Sequence, residues 1–124
     1  MIAGTYNILC EAGSTFGRVL DVQEPDLLAD PTGATYTVMN LEHFTARMQV
    51  RRTIESTTVM VSLTTENGRI AIDGAIGRIT LSMSDIVTAA LESSGVYDLE
   101  ILDVSGNVSR LIQGNFTLAP EVTR

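Results

Sequence analysis

Alternation of apolar and polar residues is the feature of this sequence that most restricts its fold. It occurs in FTARMQVRR (44–52), TTVMVSLTT (57–65) and RITLSMS (78–84). A period of two places every second side chain on the same face of a β-strand, whereas an α-helix would spread these residues around its cylinder. We therefore predict three strands, each with one face in a core.

Further strands are predicted near both ends of the chain. TYNILC (5–10) and TFGRVLDV (15–22) are interpreted as a first pair, and VYDLEILDV (96–104) with VSRLIQGNFTLA (108–119) as a C-terminal hairpin. Asn67-Gly68 predicts a two-residue hairpin turn that joins the second alternating segment to RIAID (69–73). PDLLADPTGATYTVMNL (25–41) is predicted to be a long connection with one short strand around Tyr36 to Val38, and Asp73-Gly74 to begin another turn.

Only SDIVTAALES (84–93) favours a helix, of one or two turns, with Ser84 as its N-cap. The pattern predicts an all-β fold: an immunoglobulin-like antiparallel β-sandwich of about seven to nine strands with one short helical crossover. It is expected to form a single domain over residues 1–124. The expected two-sheet core contains Phe44, Met48, Val50, Val59, Val61, Leu63, Ile79, Leu81, Tyr97, Leu99, Ile101, Ile112 and Phe116.

Tyr97 follows the crossover and precedes the inward position Leu99 by two residues. In immunoglobulin-like sandwiches a tyrosine at this corner donates its hydroxyl back to the nearby crossover backbone. The alternative is an ordinary strand tyrosine with its ring in the core.

The charge balance disfavours two classes of partner. The chain has 15 acidic and 8 basic residues, a formal net charge of -7, and all its basic residues are arginines. Binding to nucleic acid or to anionic membranes needs a cationic surface, so neither partner is expected. The N-terminus lacks the pattern of a signal peptide, and no apolar run has the length of a membrane span. We expect a protein that is made in, and stays soluble in, a cytoplasm.

Catalytic and metal-binding patterns are missing from the sequence, so we expect no enzyme activity and no cofactor. Cys10 and His43 are the only residues of their types, and we expect a buried or half-buried thiol and an exposed loop imidazole. Asp98 and Glu100 share a strand face and could form a calcium site or a glycosidase pair, but no calcium-loop motif accompanies them.

Two charged strips are the candidate interface residues. One is basic, with Arg47 and Arg51 on one strand and Arg52 at its end; the other is acidic, with Asp98, Glu100 and Asp103. Solvated strand faces are one interpretation. The other is a complementary pair, in which the basic strip of one subunit meets the acidic strip of its neighbour in a symmetric ring.

Five segments together carry a family resemblance: TYNI…CEAGSTFGR, FTARMQVR, LTTENGRIAI, YDLEI and RLIQGNFTLAPEVTR. The chain resembles a β-sandwich domain of tailed-bacteriophage virion proteins, found among tail-fibre connectors and collars. The resemblance covers nearly the whole chain, including the Thr-Ala-Arg-x-x-Val-Arg strand within Phe44 to Arg51 and the terminal motif at Gly114 to Arg124. Each of these motifs is structural, and none carries a catalytic residue.

The resemblance implies a structural virion protein assembled in the host cytoplasm, a small tail component that binds other virion proteins. One alternative is a capsid decoration or head–tail joining protein of a phage. Another is a small carbohydrate-binding domain that uses the Asp98/Glu100 face, although aromatic residues are only 5% and tryptophan is absent.

Overall fold

A computed structural model describes residues 3–123, which form eleven strands, one 3₁₀ turn at Gly74–Ile76 and one helix. Arg124, the last residue of the C-terminal motif, lies outside the described residues. The helix α1 is Asp85–Ala89. The strands are β1 (Gly4–Thr5), β2 (Ile8–Glu11), β3 (Phe16–Asp21), β4 (Gln23–Pro25), β5 (Tyr36–Val38), β6 (Thr45–Arg51), β7 (Val61–Thr64), β8 (Ile70–Asp73), β9 (Arg78–Met83), β10 (Gly95–Leu102) and β11 (Val108–Ala119).

Two sheets enclose one hydrophobic core. The larger has the order β1-β11-β10-β6-β7, with β2 also paired to β11, and the smaller has the order β3-β9-β8. Buried side chains of both sheets form a single cluster that includes Phe16, Leu81, Leu99 and Phe116. The nine strands of these two sheets make an immunoglobulin-like sandwich, in which β3, β9 and β8 oppose the larger sheet. The predicted fold class is confirmed, and β4 and β5 form a separate two-stranded ribbon.

The first strands pair differently from the prediction. β2 runs parallel to β11, with Ile8 opposite Phe116, whereas β3 pairs antiparallel with β9. The expected β2–β3 pair was therefore wrong, and the larger sheet is mixed rather than purely antiparallel. Local alternation buries Ile8 and Cys10, but it carries no information about which strand lies beside them.

The Asn67-Gly68 segment is a turn but not a hairpin. The Oδ1 atom of Asn67 accepts from the amides of Thr64 and Arg69, each at 3.0 Å, and Gly68 has a φ of 79°. However, β7 pairs with β6 and β8 with β9, so the turn carries the chain from one sheet to the other. The predicted strand pairing was wrong because positive φ specifies the turn and not the partners of the flanking strands.

Most of the predicted core is observed. Ten of its thirteen residues are buried, while Phe44, Val59 and Ile112 are only half-buried. Phe44 precedes β6 and Val59 precedes β7, so neither continues the alternation of its strand. Further buried residues come from outside the three alternating segments, among them Ile8, Phe16, Val22, Leu41 and Ile70.

The predicted helix, C-terminal hairpin and Tyr36–Val38 strand are all present. Ser84 caps α1, its hydroxyl accepting from the amide of Val87 at 3.3 Å. The buried Thr88 hydroxyl donates to the carbonyl of Ser14 at 2.8 Å and ties α1 to the turn before β3. Because Phe16 lies opposite Met83 in the β3–β9 pair, α1 follows β9 at the end of the sandwich where β3 begins.

Candidate functional site

The outer surface of β6, β10 and β11, here called the charged face, holds most of the candidate interface residues. Arg47 and Glu100 are opposite each other in the β6–β10 pair, and Arg47 Nε lies 2.8 Å from Glu100 Oε1. Arg110 Nε lies 3.4 Å from Asp98 Oδ2. The basic and acidic strips are therefore neighbours in one sheet, and several of their charges pair within the chain.

Arg51 and Arg52 lie at the end of β6 and differ in their partners. Arg51 donates to the carbonyl of Ser56 at 2.7 Å and to Gln49 Oε1 at 2.9 Å, which fixes its guanidinium against its own chain. Arg52 pairs with Glu92 at 3.2 Å, and both side chains are largely exposed. Exposed pairs of this kind contribute about 0–1 kcal/mol. Arg52 is thus the more available of the two for an external partner.

Asp103 is held in the turn between β10 and β11. Its carboxylate accepts from the amides of Ser105 and Asn107, each at 2.9 Å, and from the side-chain amide of Asn107 at 3.0 Å. The hydrogen bonds from Asn107, first that of its side chain, hold the pKa of Asp103 below its usual value. Asp103 therefore shapes the turn, whereas the paired charges described above lie on the strands.

An open concavity of about 680 Å³ lies on the charged face, with Gln49, Asp98, Arg110 and Gln113 among its lining residues. The two carboxylates of the suggested calcium or glycosidase pair line it, but each faces an arginine: Asp98 faces Arg110, and Glu100 faces Arg47. Among residues 3–123, no group of three or more His, Cys, Asp or Glu side chains is arranged to hold a metal ion.

Tyr97 does not form the predicted corner. Its ring is buried in the core, and its hydroxyl donates a short hydrogen bond to the carbonyl of Tyr6, in the segment between β1 and β2. Burial is the main cause of the raised pKa of this hydroxyl. Of the two interpretations of Tyr97, the ring in the core is the one observed, and the hydroxyl bonds to Tyr6 rather than to the crossover backbone. Tyr97 instead fastens that segment to the sandwich.

Cys10 and His43 lie where the sequence suggested. Cys10 is fully buried, and desolvation raises the pKa of its thiol. His43 is exposed in the turn before β6, with a φ of 66°. The thiol is packed in the core, and the imidazole lies in an exposed turn.

A projecting segment that the sequence analysis did not nominate is the arm, residues 23–38. Its β4–β5 ribbon begins where Gln23 pairs with Val38. At its root the amide of Val22 donates to Gly77 at 2.8 Å, and that of Met39 donates to Val22 at 3.0 Å. Gly77 permits this close approach, since a Cβ there would lie only 2.5 Å from the carbonyl oxygen of Met39.

The loop of the arm is ordered by its own hydrogen bonds. The amide of Asp26 donates to the carbonyl of Thr35 at 2.7 Å, and the carboxylate of Asp30 accepts from Thr32 and Thr35. The hydrogen bonds from Thr32 lower the pKa of Asp30, its side-chain bond most. The arm therefore has a defined shape although it lies outside both sheets.

Apolar side chains of the arm face solvent. Leu28 is 100% exposed, Leu27 60% and Tyr36 58%. Adjacent exposed apolar side chains such as Leu27 and Leu28 on an ordered segment mark a candidate contact site for another macromolecule. The available signal in the sequence was the Leu27-Leu28 pair, which stands in a proline-flanked connection without the alternation of a strand.

No protein-family model and no curated protein matches the chain. Among solved structures, the chain is similar to the first immunoglobulin-like domain of the human CD48 antigen, at 11% identity and a TM-score of 0.40. That similarity covers 98% of this chain and 88% of the other. No helix among residues 3–123 is long and apolar enough to cross a membrane.

Proposed function

We propose that this chain is a structural virion protein of a tailed bacteriophage, a small tail component of the connector or collar type that acts by binding other virion proteins. The observation that carries the binding role is the arm, whose ordered backbone presents Leu27, Leu28 and Tyr36 to solvent. A hydrophobic contact releases water from such side chains and is the main driving force of most protein association.

The phage assignment is supported by the sequence resemblance, which includes the Thr-Ala-Arg-x-x-Val-Arg strand, here β6, and the terminal motif, which begins in β11. Under this proposal the partners are tail or fibre subunits, the protein assembles in the host cytoplasm, and repeated copies form a ring. Repeated copies strengthen weak individual contacts through effective concentration.

Two alternatives predict different outcomes. A capsid decoration or head–tail joining protein would use the same arm but lie on the head. The carbohydrate-binding alternative needs Asp98 and Glu100 as free acceptors, whereas both carboxylates contact arginines at 3.4 Å or less. These contacts disfavour the carbohydrate-binding alternative, and the resemblance to tail-fibre connectors and collars favours the tail over the head.

The test begins with gradient-purified particles of the phage that encodes the chain. Mass spectrometry should detect the chain in these particles, and gold-labelled antibodies should mark the tail. Gold on the head would replace the tail assignment with the head alternative. Absence of the chain from purified particles would overturn the virion proposal altogether.

A further inference from the structure

An apolar groove of about 490 Å³ lies between the edge strand β7 and the helix α1. β7 pairs on one side with β6 and ends the larger sheet among the described residues. Ile86, 77% exposed, and Ala90 are exposed at the groove, and the other lining residues are half-buried or buried. The apolar lining comprises Val59, Met60, Val61, Ile86, Val87, Ala90 and Leu91.

The groove and the arm lie at opposite ends of the sandwich. β3 runs from Phe16 to Asp21, opposite Met83 and Arg78 of β9 respectively. The arm begins directly after Asp21, whereas α1 begins directly after Met83 and Ser84. Six residues of strand span roughly 20 Å, at about 3.3 Å per residue. The root of the arm at Val22 and Met39 therefore lies at the end of the sandwich opposite the groove of its own chain.

The two surfaces are complementary in charge as well as in hydrophobicity. The arm contains Glu24, Asp26 and Asp30 and no basic residue. The charged residue in the lining of the groove is Arg69. Just outside the lining lie Arg52, which pairs with Glu92, and Asp85, which precedes Ile86. An acidic, leucine-tipped segment thus faces solvent at one end, and an apolar groove whose lining carries the positive charge of Arg69 lies at the other.

We propose that the arm of one copy of this chain binds in the β7–α1 groove of the next copy, with Leu27 and Leu28 against the apolar lining and the arm carboxylates near Arg52 and Arg69. Because different surfaces meet, the contact is heterologous and builds either a closed ring or an open filament. This inference rests on the self-assembly part of the proposed function and names its interface.

The experiment uses disulfide trapping with the full chain. Leu28→Cys and Ile86→Cys are prepared separately, mixed at high protein concentration and oxidised with a copper catalyst. The matched control replaces Leu28→Cys with Val104→Cys, since Val104 is also apolar, 79% exposed and in the turn after β10. The wild-type chain controls for Cys10, which is fully buried.

We expect the Leu28→Cys and Ile86→Cys mixture to yield at least about tenfold more mixed disulfide dimer than the control mixture. A chain carrying both substitutions should form a ladder of oligomers, because each copy then donates one arm and accepts another. Adding Leu27→Asp to the Leu28→Cys chain should abolish the excess, and an unchanged circular dichroism spectrum would show that the fold is intact.

Equal yields in the two mixtures, or Leu28→Cys homodimers as the main product, would overturn the arm-in-groove contact. Neither result would contradict the proposed function, which is tested by the presence of the chain in purified particles. Conversely, a ladder from a protein that is absent from particles would retain the contact and reject the virion assignment.

Discussion

At the scale of single residues, Tyr97 links the N-terminal segment to the core. Its hydroxyl donates to the carbonyl of Tyr6, so Tyr97→Phe should leave that carbonyl without its donor and lower the free energy of unfolding by about 1–2 kcal/mol. Urea denaturation measures the change. Tyr36→Phe, at an exposed ring, is the matched control and should change stability by less than about 0.5 kcal/mol. Equal effects of the two substitutions would contradict the role of the Tyr97 hydroxyl.

The Asp103 carboxylate should make the stability of the fold depend on pH. Hydrogen bonds from Asn107 lower its folded pKa from the ordinary value of 3.8. Its carboxylate therefore stabilises the fold at pH values above the unfolded pKa, and this contribution is lost as the pH falls through the folded pKa. Asp103→Asn should be less stable than the wild-type chain at neutral pH.

The difference between Asp103→Asn and the wild-type chain should disappear in acid. Urea denaturation at a series of pH values from neutral to below 3.8 measures it. Glu55→Gln, in the exposed loop between β6 and β7, controls for the loss of one negative charge. A stability difference that stays constant down to the acid end of the series would contradict the assignment to the Asp103 carboxylate.

At the scale of elements, the start of β10 lies against the end of β6. A Cβ at Gly95 would overlap the carbonyl oxygen of Arg51, whereas one at Gly17 in β3 would find its nearest atom, the carbonyl oxygen of Leu81, at 4.0 Å. Gly95→Ala should therefore cost about 1–3 kcal/mol. Gly17→Ala, the same change in another strand, should cost clearly less. Thermal unfolding of both variants compares them, and equal melting temperatures would contradict the close approach.

Leu99 tests the register of β10. It is fully buried between Met48 of β6 and Ile112 of β11. Leu99→Ala should lower the free energy of unfolding by about 2–5 kcal/mol, because it removes buried methyl groups and leaves a cavity. Leu28→Ala makes the same change at a fully exposed side chain and should leave the free energy of unfolding of the monomer within about 0.5 kcal/mol of the wild type. Denaturant titration at low protein concentration distinguishes them, and a small loss at Leu99 would show that the register is displaced.

The strands show most clearly which features could be predicted from the sequence and which could not. Alternation predicted the buried face of β6 and β9 correctly, since side-chain direction depends only on the residue's own strand. It did not predict that β2 lies beside β11, because strand pairing depends on contacts between distant parts of the chain. The same holds for Asn67-Gly68: the turn itself could be predicted, but the strands that pair with β7 and β8 could not.

The candidate site was likewise predictable only in part. The sequence shows which charges share a strand face, but the pairing of Arg47 with Glu100 depends on the β6–β10 register. The arm was predicted only as a connection with one short strand. Its exposed leucines could be recognised as a contact surface only from the structure. The structure shows the ribbon, its anchors at Gly77 and Val22, and the full solvent exposure of Leu28.

At the scale of the whole molecule, the sandwich presents different surfaces at its two ends, with the arm at one and the β7–α1 groove at the other. Such a molecule is suited to repeated head-to-tail contacts, and a closed ring satisfies every arm and every groove. Under the proposed function, the charged face, with its internal ion pairs, is the surface left for a second protein. We therefore expect a ring whose copies contact each other through their ends and a second protein through their larger sheets.

Electron cryo-microscopy of the intact particle, with this subunit located in the density, tests that arrangement most directly. We expect several copies of the sandwich around the tail axis, related by one rotational symmetry, each in contact with a neighbour through unlike surfaces. A single asymmetric copy in each particle would contradict it. So would isologous dimers scattered without a common axis.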